Sequence, residues 1–269
     1  NLGTPDEPTA PGMRRYLAEF LSDPRVVEIP RLAWWLILHG IILRVRPKKS
    51  AAKYASIWME EGSPLKVWTQ KQAALLGEKL ASQGHAVDVR YAMRYGNPSI
   101  ASQLDALKAD GVTRILILPA YPQYSGTTSA SVCDAVYSWA ANIRHLPEFR
   151  FVNRYHDDAG YINAIADKIR AHWATHGQAE QLVMSFHGVP ERTLHLGDPY
   201  HCECYKTARL LHQAGVLVAL HNEGFWQQRN LPFLAGTLVA HGIDPEVALQ
   251  MVTANPAKIL GIDARTGSL

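Results

Sequence analysis

From residue 87 onward, short apolar runs alternate with longer amphipathic ones, and this alternation constrains the fold more than any other feature. Val87–Met93, Arg114–Leu118, Arg150–Asn153, Leu182–Phe186 and Val216–Leu220 have the length of buried strands. Ser99–Ala109, Ser129–Ile143 and Gly160–Thr175 read as the helices between them. Strands separated by helices of ten or more residues pair in parallel, through right-handed crossovers. The pattern therefore predicts an α/β fold around a parallel sheet. In such sheets ligands sit beyond the carboxyl ends of the strands. Three loops follow strand candidates: Met93–Pro98, Pro119–Thr128 and His187–Pro190. With the strands as neighbours, the three would meet on one rim.

The front of the chain is built differently. Asn1–Pro11 is rich in Pro and Gly, and Thr9 and Pro11 suit the start of a helix carrying Met13, Tyr16, Leu17, Phe20 and Leu21 at helical spacing. Ala33–Leu43 is an apolar run too short for a bilayer span, which needs about twenty residues. It contains Trp34 and Trp35 and is followed by Arg44, Arg46, Lys48 and Lys49. Two readings stand: a buried helix with a basic end, or an apolar lip beside a cleft or membrane surface. Gly62-Ser63-Pro64 introduces an amphipathic helix, Lys66–Ser82. Near Leu211 the pattern changes again. A last strand candidate is followed by a polar, aromatic-containing loop and then helices over Leu231–His241 and Pro245–Thr253, with a short third at Asn255–Gly261.

Composition excludes several classes. Over 269 residues, 47% are apolar and 19% charged, as in soluble globular proteins with a sizeable core. A net charge of +3 gives no polyanion-binding field, and no Lys/Arg cluster interleaved with aromatics points to nucleic acid. Three cysteines, Cys133, Cys202 and Cys204, make no disulfide framework and suit a reducing compartment. The N-terminus shows no signal-peptide pattern and opens on Asn-Leu-Gly-Thr-Pro, which reads as the turn after a strand that is not there.

The rim loops carry the chemistry. His187 at a strand end, next to Gly188, is a candidate metal ligand or proton acceptor, with a core histidine as the equally weighted alternative. There is no Gly-x-Gly-x-x-Gly and no Walker lysine, so a nucleotide site is poorly supported. Ser185 lacks a nucleophile elbow. A lone Cys-x-Cys at Cys202 and Cys204 is neither a zinc nor an iron–sulfur signature, which leaves an iron–sulfur cluster disfavoured. Arginine and tyrosine on one rim suit a flat, conjugated, anionic ligand, through bidentate pairing and stacking.

Asn1-Leu2-Gly3-Thr4-Pro5, Gly62-Ser63-Pro64-Leu65, Pro119–Ser125 and Ser185–Pro190, with Gly197–Tyr200 leading into Lys206–Arg209, occur in the order found in bacterial ferrochelatases. Over Asn1–Leu211 the chain resembles that family. The resemblance implies two Rossmann-like domains of chelatase type facing a porphyrin cleft. It implies a lyase of heme biosynthesis that inserts ferrous iron, as substrate, into protoporphyrin IX, with no bound prosthetic group. His187 matches the family's metal-binding or proton-accepting histidine. Arg46, Tyr54, Ser63, Arg94, Tyr95 and Tyr124 fall at porphyrin-contact positions, and Trp34–Leu43 matches a lip that touches a membrane peripherally. A cytoplasmic enzyme, membrane-associated at that lip, is expected, of undetermined oligomeric state.

The pattern breaks after Leu211, before the acidic residue that faces the histidine in the family. Val216–Leu269 resembles instead the end of a metal-dependent amidohydrolase, through Arg229–Pro232, Ala235–Thr237 and Asn255–Gly261, though without the metal-binding Asp after the last barrel strand. The expected division is a first chelatase-like domain over 1–175, the truncated start of a second over 176–211, and a mainly helical tail over 212–269. Two further functions remain open: a porphyrin-binding fragment without turnover, and an amidohydrolase-type hydrolase defined by the tail.

Overall fold

The computed structural model describes residues 1–178, 182, 184–216, 231–240, 242–259 and 262–267. It is a mixed α/β structure with a small parallel sheet and many helices. Tertiary contacts divide it into a first unit, Asn1–Tyr121 with Ser125–Asn153, and a second, Pro122–Tyr124 with Arg154–Leu269. The division falls at Asn153, so the helix that follows belongs to the second unit.

In the first unit, α1 (Ala10–Ser22) starts where the sequence signals it. The Thr9 hydroxyl accepts from the Gly12 N–H at 3.2 Å, and Pro11 occupies the first turn, where its missing N–H costs nothing. Met13, Tyr16, Leu17 and Leu21 form its buried stripe. The run after residue 30 is a composite helix. α2 (Arg31–Ile37) passes through a π-helical turn, Leu38–Ile42, into α3 (Leu43–Ala55). Leu38, Leu43 and Ala51 pack with α1 and Tyr95 in one core cluster. Leu32, Trp35, Leu36, Ile37, Ile41 and Val45 remain exposed, Trp35 by 56%. A wholly buried helix is thus excluded for Ala33–Leu43, because one packed side of a helix can cover only part of an all-apolar circumference.

α4 (Pro64–Ser82) begins directly after Ser63. α5 (Ile100–Ala109) is capped by the Ser99 hydroxyl. β1 (Arg114–Ile117) pairs in parallel with β2 (Glu148–Phe151), from Arg114 opposite Glu148 to Ile117 opposite Phe151. Between the strands runs α6 (Ser131–Ala140), entered through a π-helical turn at Gly126–Ala130. Leu104, Ile115, Val136 and Trp139 form the core under the sheet. The Trp139 indole N–H is satisfied by Asp105 Oδ1 at 2.8 Å.

The described sheet has fewer strands than the sequence pattern predicts. β2 begins two residues earlier than expected. Val87–Met93 does not form a strand: Arg94 and Tyr95, just after it, donate to the carbonyls of Asn1 and Leu2 at 2.8 Å, and Met93 bridges Ser99. Pairing with the short Asn1–Gly3 stretch is too brief to build a ladder. Leu182 and Met184–Phe186 adopt no regular structure, and Ser185 and Phe186 are exposed. An apolar run becomes a strand only where a neighbouring edge accepts its hydrogen bonds. Residues 217–220 of the last candidate strand lie outside the described residues.

In the second unit, α7 (Ala159–His176) is capped by Asp158 and ends at Gly177 (φ 84°). α8 (Glu191–His195) and α9 (Tyr200–Gln213) follow, then α10 (Leu231–Ala240), α11 (Pro245–Val252) and α12 (Ala254–Ile259). Ile162 and Ala166 of α7, Leu211 of α9, and Ala235, Leu238, Ile243, Ala248 and Met251 of the tail share one core. The tail is therefore packed into this unit rather than hanging from it. Leu238→Ala should cost about 3 kcal/mol through lost burial and the cavity left behind. Urea unfolding followed by α7 and α9 amide exchange checks this. Loss confined to tail amides would show that the core is not shared.

Candidate functional site

The predicted contact residues fall into three environments. Tyr54 and Ser63 meet in one groove of the first unit. Its volume is 370 Å³, and Gly3, Thr4, Tyr54, Ile57, Ser63, Pro64, Leu65 and Trp68 line it. Thr4 and Ser63 are buried side by side, with the Thr4 hydroxyl donating to Ser63 Oγ at 2.7 Å. Tyr54 stands edge-on to Tyr16, ring centroids 6.4 Å apart. Gly3 is required here: its φ is 120°, and a Cβ would sit 1.8 Å from the Tyr95 carbonyl oxygen. The groove is mainly apolar, with Thr4, Ser63 and Tyr54 the hydroxyl-bearing residues of its lining, the character of a site for a largely hydrophobic ligand. Arg46 is exposed on α3, two turns before Tyr54, and does not line the groove.

Arg94 and Tyr95 are committed elsewhere. Tyr95 is 1% exposed, and its hydroxyl donates to Asp23 Oδ2 at 2.7 Å. Arg94 donates to the same oxygen at 2.6 Å and through Nε to the Ser131 carbonyl at 2.9 Å. The Ser131 hydroxyl also donates to Asp23 Oδ2, at 2.5 Å, and the Arg25 backbone N–H serves Oδ1 at 2.7 Å. Burial alone would raise the Asp23 pKa. The hydrogen bonds from Ser131, Tyr95 and Arg25, with the charge of Arg94, outweigh burial and hold the carboxyl below its usual value. Burial first, and then the bond to Asp23, push the Tyr95 phenol well up. In this structure the Tyr95 ring is enclosed, and the Arg94 charge is answered by a buried carboxylate, so neither side chain lines the groove.

Tyr124 and His187 belong to the second unit. His187 is exposed, and its backbone N–H donates to the Tyr200 hydroxyl at 3.1 Å. Burial, then the neighbouring Cys204, push the Tyr200 phenol up to about 12, so it stays neutral. Burial likewise raises the Cys204 thiol to about 11. A thiol so placed is a packing group rather than a nucleophile. The Tyr124 backbone N–H donates to Glu203 Oε2 at 2.7 Å, while Arg154 donates to Glu203 Oε1 at 2.8 Å. The Arg154 guanidinium carbon lies 5.8 Å from the Tyr124 ring centroid, within cation–π range. Next to it, Gln123 donates to the Thr207 hydroxyl at 2.9 Å. Among the described residues, no group of three or more His, Cys, Asp or Glu side chains could hold a metal ion.

Sequence reasoning missed Asp23, Tyr200 and Glu203. Asp23 sits in no motif, and its partners lie up to 108 residues away. Tyr200 and Glu203 lie in or beside a stretch that carried the family resemblance, but spacing alone assigns them no partner.

A family model for ferrochelatase matches residues 1–232. The chain belongs to the ferrochelatase family. It is 80% identical over 211 residues to a ferrochelatase of Polaromonas sp. (strain JS666), covering 78% of this chain and 58% of that one. To the ferrochelatase of Methylibium petroleiphilum it is 73% identical, with the same coverage. To that of Janthinobacterium sp. (strain Marseille) it is 63% identical, over 78% of this chain and 57% of the relative. The chain thus spans a little under three-fifths of the length of these ferrochelatases. The match to the ferrochelatase model continues past Leu211–Gly215, and no finding supports assigning the tail to the amidohydrolases.

His156 adds a pH-sensitive element beside Glu203. It is buried, with Nδ1 3.4 Å from Glu203 Oε2 and 3.9 Å from Asp157 Oδ1. Desolvation lowers its pKa; Glu203 and Asp157 oppose this, and Lys206 and Arg154 reinforce it. The unfolded chain therefore binds the proton more readily than the folded one. The contribution of neutral His156 to stability is complete above about pH 6.5 and is lost as pH falls through the depressed folded value. Thermal melts from pH 8 to 5 should show this decline, and His156→Gln should flatten it. An unchanged slope in the variant would rule His156 out as its source.

Proposed function

We propose that this chain carries the porphyrin-binding groove and the reactive histidine of a ferrochelatase, which inserts ferrous iron into protoporphyrin IX. The observation that carries the reading is the apolar groove over Thr4 and Ser63, walled by Tyr54, Ile57, Leu65 and Trp68. An apolar macrocycle edge gains burial there, with lining hydroxyls for polar contact. Metal insertion replaces two pyrrole N–H protons with one Fe(II). The protons must pass to a base, and the metal must exchange water for nitrogen ligands. A neutral imidazole serves either step, as proton acceptor or as transient ligand for iron. His187 is exposed on a loop held at its backbone, which leaves the ring available for either role.

A second reading is a fragment that binds porphyrin without turnover. It is favoured by the length of the chain, which covers 58% of a ferrochelatase to which it is 80% identical. Titration with protoporphyrin, read by quenching of tryptophan fluorescence, followed by Zn(II) or Fe(II) addition, separates the two. Quenching with metalation supports the enzyme; quenching alone supports the binding fragment; neither sinks both. His187→Ala should abolish metalation and leave porphyrin affinity within about tenfold, since apolar burial dominates binding. Full activity in that variant would refute the role given to His187.

The same chain should touch membranes peripherally. Leu32, Trp35, Leu36, Ile41 and Val45 are exposed along the composite helix, near exposed Arg44, Arg46, Lys48 and Lys49. No described helix is long and apolar enough to cross a bilayer. Apolar residues beside cations suit the interface of an anionic membrane, where a porphyrin could pass from lipid to the groove. Trp35→Ser should weaken co-sedimentation with phosphatidylserine-containing vesicles about tenfold. Unaltered sedimentation would argue against this face.

A further inference from the structure

α9 presents three polar side chains, Tyr200, Glu203 and Thr207, at i, i+3 and i+7, the spacing of one helix face. Each is spent on a residue outside the helix. Tyr200 receives the His187 N–H, Glu203 the Tyr124 N–H, and Thr207 the Gln123 amide. The partners lie 13, 79 and 84 residues away in sequence, so a single helix face ties together two of the loops that follow strand candidates.

Glu203 is the residue on which this arrangement turns. Its side chain is 6% exposed, and its two oxygens are used differently. One accepts the Tyr124 N–H; the other holds Arg154, which in turn lies over the Tyr124 ring. Tyr124 is therefore fixed twice by one carboxylate, at its backbone directly and at its ring through a cation. A buried carboxylate with both oxygens in charge-assisted bonds cannot rotate without leaving a donor unmet. No such device is needed merely to hold a helix in a core; Leu211 and Ala208 on the same helix supply the apolar packing.

We propose that Glu203 is a positioning residue for porphyrin binding, which sets the Tyr124 ring and, through the shared face of α9, keeps it in register with the His187 loop. The inference rests on the porphyrin reading above and takes Tyr124, by the family resemblance, as a porphyrin contact carried by the second unit; Glu203 acts on it without touching the ligand.

The test measures Tyr124 amide exchange, protoporphyrin affinity by tryptophan quenching, and melting temperature in the whole chain. Glu203→Ala should speed Tyr124 exchange by at least about tenfold and weaken protoporphyrin binding about tenfold. In a Tyr124→Ala background, Glu203→Ala should cause no further loss of affinity, because its effect runs through that ring. Equal loss in both backgrounds would mean general destabilisation and would overturn the proposal, as would unchanged Tyr124 exchange. If Glu203→Ala fails to fold, Glu203→Gln replaces it. That variant keeps the volume and one acceptor, so it loses the bond to either Arg154 or the Tyr124 N–H, and the same dependence on Tyr124 is required of it. A wild-type chain that binds no protoporphyrin sinks the porphyrin reading, whereas unchanged Tyr124 exchange sinks the role of Glu203.

Discussion

The first unit depends on one buried carboxylate. Asp23 lies just past the end of α1, and its side chain is 2% exposed. Removing a carboxylate from water costs several kcal/mol, which a single ion pair does not reliably recover. Here four donors from Arg25, Arg94, Tyr95 and Ser131 converge on its two oxygens. The end of α1, the stretch at 94–95 and the start of α6 are joined at that point. The loop carrying Arg94 could not take another position without leaving a buried charge unanswered. The same geometry explains why Arg94 and Tyr95 are supports of the groove's unit rather than groove walls. Tyr95 also contributes the carbonyl that excludes any side chain at position 3, where the groove begins.

The second unit solves a different problem with similar means. Its loops at 122–124 and 187–190 have little regular structure, so their backbone groups need partners from elsewhere. α9 supplies them with a phenol, a carboxylate and a hydroxyl on one face, while its other face joins α7 and the tail helices in a core. A helix used on both sides can transmit little motion to the loops it holds. Groups held in place in this way lose less entropy when a ligand binds them.

Much of the chain's local character is visible in its sequence. Thr9 and Pro11, Ser99, and Asp158 mark helix starts, because each offers an oxygen to unpaired N–H groups or removes one. The Met13–Leu21 stripe marks a buried face, and the motifs around Ser63, Tyr124 and His187 mark the family. Strand formation was less legible. Arg114–Leu118 became β1, whereas Leu182–Phe186, no less apolar, did not become a strand at its described positions. Apolar content makes a segment able to be a strand; an edge to pair with makes it one. Arg94 and Tyr95 show the same limit for the site, since nothing local distinguishes a tyrosine that meets a ligand from one that meets Asp23.

The sequence alone carried the family resemblance, through motifs in the family's order, and the mixed α/β class, through the local spacing of apolar and amphipathic runs. Tertiary structure alone decided which candidates share a groove, that the apolar run after Pro30 keeps a face exposed, and that Asp23 and Glu203 are the anchoring carboxylates. Those outcomes rest on contacts between residues far apart in sequence. A buried charge or an unpaired backbone N–H is satisfied by whichever partner the fold brings within about 3 Å, and sequence spacing carries no record of that distance.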